Sequence, residues 1–237
     1  MEIKEYQPRI VRGRTELWVP HNAGEIAFAS PAHGPGTYQN VGKSILDDKQ
    51  KVPTGDYMAS LLHSAYCNSS VSKEPEFVEV KQTMKNSWLW VYNRNLWTDK
   101  GVYVLQDEDG VGRSKPLEIC ELEAMLATGK KISGIRFSSD GRLRFAPKES
   151  YNLGEHTSES FAKDGFVIAS SNLEGARKFG EVASRLRNRP YVYGLDIKEG
   201  QSSELRVSAV NEDDDRLRFD GGSWYVVDLG HAFGVWN

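Results

Sequence analysis

A chain of 237 residues with 39% apolar and 27% charged positions can bury a substantial core, which excludes a disordered chain or a small disulfide scaffold. Its formal net charge of -3 gives no broad attraction to nucleic acid or to an anionic membrane. The opening residues Met1 to Tyr6 hold no apolar signal-like core and no later run approaches bilayer length, so the expectation is a soluble, cytoplasmic protein without a membrane partner.

In chain order, residues 25 to 29 read as a strand that runs into a glycine-rich loop. Thr37 then caps a helix with Tyr38, Val41, Ile45 and Leu46 on one face. Thr54 caps a second helix, with Tyr57, Met58, Leu61, Leu62 and Ala65 inward, and Pro75 opens a third through Phe77, Val80 and Met84. Residues 88 to 104 come next and carry three of the six tryptophans. In an extended chain Trp88, Trp90 and Tyr92 share one face, and Leu89 and Val91 the other. Both faces are apolar, as a strand covered on both sides requires.

A turn at Asp99-Lys100-Gly101 leads to a second strand, and Asp107 to Gly110 closes it. Pro116 is expected to open a helix capped by Gly129. Residues 135 to 137 and 143 to 145 then form a hairpin whose arginines alternate with apolar residues. Residues 166 to 197 read as strand, helix, strand, with Ser171 or Asn172 as the helix cap, and short strands follow at 205 to 210, 217 to 219 and 224 to 228. The fold class expected is mixed α/β (α+β), a central mixed sheet with helices on both faces, β-hairpins and one βαβ unit. One domain over 1 to 237 is expected, with a weak boundary at 108 to 116.

No motif names a chemistry. Gly42-Lys43-Ser44 ends like a phosphate-binding loop, but that motif needs glycine at position 37, where Thr37 stands. A strand, a glycine-rich loop and a capped helix still present backbone amides to an anion. The first functional expectation is therefore a site for a small anionic or nucleotide-like ligand at residues 32 to 44, with Gly34, Gly36, Lys43 and Ser44 binding and His33 as the acid or base. The competing reading is a tight bend with a solvated histidine. Whether there is any catalysis, and whether a cofactor takes part, the sequence leaves unknown.

The second expectation is a non-catalytic interaction protein. It would use Arg136, Arg142 and Arg144, expected on one wet face of the hairpin, to hold an acidic partner or, less favoured by net charge, nucleic acid. Against it, Glu174 with Lys178 and Glu181 with Arg185 stand four apart, as on any solvated helix face.

Histidines 21, 33, 63, 156 and 231 lack metal-ligand spacing, and Cys67 and Cys120 lack a paired motif, so no metal is assigned. Asp107 to Gly110 and the acidic run 212 to 215 read as turns. The order of a strand, Ser170-Ser171, a helix and Tyr191-Val192-Tyr193 loosely resembles part of an ADP-ribosyltransferase core. Any crossover unit offers the same order, and no family is assigned on it.

Overall fold

A computed structural model of the chain describes residues 6–11, 16–223 and 229–236. Strands β1 (Arg9–Val11), β2 (Glu16–His21) and β3 (Gly24–Ala29) form a small antiparallel sheet. Strand β4 (His33–Gly36) and helices α1 (Tyr38–Asp47), α2 (Gly55–Cys67) and α3 (Pro75–Asn86) follow, then strands β5 (Trp88–Thr98) and β6 (Gly101–Gln106) and helix α4 (Ile119–Ala127). Strands β7 (Lys130–Ile132), β8 (Ile135–Phe137), β9 (Leu143–Pro147) and β10 (Gly154–Glu155) lead to helices α5 (Ser158–Ala162) and α6 (Gly165–Ala183). Strands β11 (Tyr191–Tyr193), β12 (Glu204–Asp213), β13 (Arg216–Ser223) and β14 (Gly230–Ala232) complete the described elements.

The large sheet runs β10-β11-β13-β12-β5-β6-β9-β8-β7, and β14 joins β4 to the start of β5. It is mixed, because β11 runs parallel to β13 and β14 parallel to β5. Its centre is the tryptophan strand. Leu89, Val91 and Trp97 pack in the core shared with α2, α3 and α6, while Trp90 and Tyr92 pack with Tyr38, Val41 and Ile45 of α1. Leu96 joins Leu122 and Leu126 of α4 on that second side. Helices thus cover both faces, as alternation along an all-apolar strand demands.

β12 passes directly from Val207, opposite Arg94, to Ser208, opposite Val91, so Tyr92 and Asn93 are an insertion in the ladder. An insertion of two keeps the alternation of faces intact. Their backbone is used elsewhere: Tyr92 N donates to Pro53 O at 3.0 Å and Asp107 N donates to Tyr92 O at 2.9 Å. The segment before α2 and the end of β6 are thereby tied to the middle of β5.

Three sequence expectations change. Residues 166 to 169 are helix, not strand: Asp164 caps α6 by accepting from Phe166 N at 3.0 Å and Val167 N at 3.2 Å. A helical turn buried on all sides has the same apolar run as a buried strand, so periodicity could not separate them. With that strand gone, the βαβ reading of 166 to 197 and the resemblance built on it lapse. Secondly, the helix expected from Pro116 begins at Ile119. Thirdly, the 135 to 145 hairpin has a different register, described below. The strand expected at 224 to 228 lies outside the described residues.

Candidate functional site

The glycine-rich segment is a junction between β4, α1 and β14. Thr37 caps α1 by accepting from Asn40 N at 3.3 Å, and the Trp90 indole donates to Gly36 O at 3.2 Å. His33 Nε2 lies 3.0 Å from Gln50 Oε1, and Nδ1 lies 2.9 Å from Ser44 Oγ. Both ring nitrogens and the Ser44 hydroxyl are thus engaged within the fold. Lys43 Nζ meets Asp47 Oδ2 at 2.5 Å along the exposed side of α1. Gly34 has φ +117°, and a β-carbon there would stand 2.6 Å from Gly230 O, so glycine serves a close crossing of β4 and β14. These five residues are close in the fold, but none lines the cleft described below.

The three arginines do not share a face. Five residues separate Phe137 from Leu143, and the register pairs Arg136 with Phe145 and Phe137 with Arg144. Residues paired across antiparallel strands point the same way, so Arg136 and Arg144 point to opposite sides of the sheet. Arg136 faces α4, where both its terminal nitrogens donate to the Glu123 carboxylate at 2.8 and 2.6 Å. Arg142 meets Glu108 at 3.2 Å. Arg144 is 5% exposed, contrary to the wet face expected of it.

Where Arg144 goes defines the site. Its Nε donates to Gly141 O and its Nη1 to Ala169 O, both at 3.1 Å, and its guanidinium lies 5.7 Å from the centre of the Phe137 ring. Both recorded hydrogen bonds go to carbonyls, and among the described residues no carboxylate forms an ion pair with it. Burial pushes its pKa down and the charge of Asp56 pulls it up. An arginine stays charged under either influence.

Arg144 lines a cleft of about 570 Å³ together with His21, Thr54, Asp56, Tyr57 and Asp140, among others. Both Arg144 and Asp56 bond to the stretch where α6 is interrupted, Arg144 to Ala169 O and Asp56 to the Asn172 amide. Asn172 adopts φ 58° and ψ 179°, and its Oδ1 accepts from Gly175 N at 2.9 Å, so it ends one helical segment and caps the next. The start of α2 sits against this break, since a β-carbon on Gly55 would stand 2.1 Å from Ser170 O. Asp56 is fixed there by the Thr54 hydroxyl at 2.6 Å and the Asn172 amide at 3.3 Å.

On the β2 side, His21 Nδ1 lies 2.9 Å from Ser60 Oγ, Asn22 Nδ2 lies 2.8 Å from Nε2, and the Tyr57 ring packs edge-on with centroids 4.9 Å apart. Burial pushes the imidazole pKa down, with Asp56 opposing. Lys178 Nζ donates to Ser60 Oγ at 2.9 Å, and burial likewise lowers its pKa. Ser60 is 1% exposed and its oxygen already serves Lys178, so a Ser-His pair exists here without access for a substrate. What the cleft offers chemically is two cations, Arg144 and Lys51, three carboxylates, Asp56, Glu108 and Asp140, and neutral hydrogen-bonding groups.

Sequence reasoning gave His21, Asp56 and Asn172 no part in a site, although Asn172 was read as a helix cap. The inward turn of Arg144 follows from a six-residue loop, 138 to 143, closed by the pair Phe137 and Arg144, instead of the five-residue loop that the alternating string suggests. Elsewhere, His63 Nε2 meets Glu181 at 2.6 Å, and Cys67 and Cys120 are both free. Among the described residues no three His, Cys, Asp or Glu side chains are grouped to hold a metal ion, and no helix is long and apolar enough to cross a membrane.

No family model and no curated protein matches the sequence. A solved structure, from work on the accommodation of massive sequence variation in Nanoarchaeota by the C-type lectin fold, superposes with a TM-score of 0.50. The match covers 86% of this chain and 95% of that one at 12% identity, which speaks to fold and not to function. The architecture described above is therefore similar to the C-type lectin fold.

Proposed function

We propose that the protein binds a small ligand through an anionic group, and that the ligand lies in the Arg144 cleft instead of at residues 32 to 44. The observation that carries this reading is a buried guanidinium, bonded only to carbonyls, on the wall of a cleft of about 570 Å³. Asp56 and the end of the α6 segment favour the charged guanidinium without bonding to it as a carboxylate would, and an incoming carboxylate or phosphate supplies that direct partner through a strong, charge-assisted hydrogen bond. The cavity volume falls within the range of small-molecule sites, roughly 300–1,000 Å³. The arginine-face reading is not adopted, because Arg136 and Arg142 already hold carboxylates and Arg144 points away from them.

The test is thermal denaturation in sodium acetate or sodium phosphate, balanced against chloride at constant ionic strength, for the wild type and for Arg144→Gln. Binding to the folded state raises stability by about 1.4 kcal/mol when the anion is at ten times its Kd. The expected result is an anion-dependent rise in the wild type that Arg144→Gln loses and Arg142→Gln keeps. A wild type indifferent to both anions rejects the reading.

A further inference from the structure

Among the described residues, the same cleft holds a second charge that no lysine or arginine meets in an ion pair. Asp56 accepts from the Thr54 hydroxyl and the Asn172 amide, both neutral donors. His21 lies nearest, with Nε2 3.8 Å from Oδ2, and the charges of Arg144 and Lys178 also interact with that of Asp56 beyond ion-pair distance. The remaining carboxylates of the cleft are already in use: Glu108 meets Arg142 at 3.2 Å, and Asp140 accepts from Ser138 Oγ at 2.6 Å and from Arg142 N at 3.1 Å.

Arg144 and Asp56 line one cavity with opposite charges, yet they form no ion pair. Each is held by its own support, Arg144 by the Gly141 and Ala169 carbonyls and Asp56 by Thr54 and Asn172. Supports of that kind keep both charges available to a third body. The complement of such a pair is a molecule that carries an anion and a cation a few bonds apart. Leu46, Val52 and Tyr57 add apolar surface to the same lining.

We propose that the cleft is a zwitterion site for a free α-amino acid with an apolar side chain, its carboxylate on Arg144 and its ammonium on Asp56; this rests on the anion-site reading above. The amine supplies what phosphate or acetate cannot, a donor set that neutralises Asp56. Leu46, Val52 and Tyr57 then receive the side chain. The ligand class follows from the two charges together, since either one alone would fit many simple ions.

The experiment is calorimetric titration of the full chain with three probes: L-leucine, 4-methylpentanoate (leucine without its amine) and isopentylamine (leucine without its carboxylate). L-Leucine is expected to bind at least about tenfold more tightly than either single-charge probe, the ratio that about 1.4 kcal/mol provides. Asp56→Asn, close in shape, is expected to erase the advantage of leucine over 4-methylpentanoate while the acid still binds. Because Arg144→Gln also removes two structural hydrogen bonds, amide chemical shifts of Thr54, Asn22 and Gly141 in the wild type supply an independent map of the site. Equal affinity of leucine and the acid, unaltered in Asp56→Asn, overturns the zwitterion proposal and leaves the anion site standing. No binding of the acid or of leucine rejects both.

Discussion

The Arg144 guanidinium donates to the Ala169 carbonyl over 3.1 Å, at the end of the helical segment that stops at Asn172. The C-terminal end of a helix carries partial negative charge, so it can hold a buried cation without a carboxylate. Arg144→Lys keeps the charge but loses the fork that reaches Gly141 O and Ala169 O together. The expected loss is about 1–3 kcal/mol, read as a lower urea midpoint at unchanged slope. An unaltered midpoint would show that the helix end does not depend on the fork.

Asn172 stands at φ 58° and ψ 179°, a conformation that β-carbon-bearing residues adopt only under constraint. Its side chain does two jobs, accepting from Gly175 N and donating to Asp56 Oδ2. Asn172→Ala keeps the strain and loses both bonds, whereas Asn172→Gly loses the bonds but relieves the strain. Alanine is therefore expected to be the more damaging by about 1 kcal/mol or more in equilibrium unfolding. The reverse order would mean that the backbone here is not strained.

Fold and site were legible to different degrees, and the reason is physical. The tryptophan strand announced itself because both of its faces are apolar, and Leu89 and Trp90 do enter different cores. Thr37 was readable as a cap because a cap is a local hydrogen bond. The site was not readable, because it depends on register and on a helix break. Arg144 looks like Arg136 in an alternating string until a six-residue loop, 138 to 143, closed by Phe137 and Arg144, places them on opposite sides. Asn172 was identified as a cap, but nothing local said that a helix would precede it as well as follow it.

Trp90 is fully buried, packs edge-on against Tyr38 with centroids 5.6 Å apart and donates to Gly36 O. Gly230 has no room for a β-carbon, which would stand 2.0 Å from the Trp90 Nε1. The indole therefore joins β4, β14, β5 and α1. Trp90→Ala is expected to cost about 3–5 kcal/mol in urea unfolding, the range of a large buried aromatic replaced by a cavity. In the folded wild type, acrylamide should barely quench Trp90 and Trp97, both 0% exposed. Free quenching of all the indoles would contradict the packing around β5.

His21 makes stability depend on pH in a direction that the geometry determines. Its surroundings are Asp56 of α2, which favours the imidazolium, Lys178 of α6, which opposes it, and Glu174 of α6, which favours it weakly. Burial exceeds all three and lowers the folded pKa below the ordinary imidazole value of 6.5. In the unfolded chain the ring titrates near that ordinary value, so below it the unfolded state binds more protons than the folded one. The stabilisation is therefore complete above about pH 6.5 and is lost as pH falls through the folded value. Burial lowers His231 in the same sense, so His21→Gln should reduce the slope of stability against pH between about 6.5 and 5 without abolishing it. Urea midpoints measured across that interval decide the matter, since a slope untouched by His21→Gln would mean that the ring charges as readily in the folded protein as in the unfolded one.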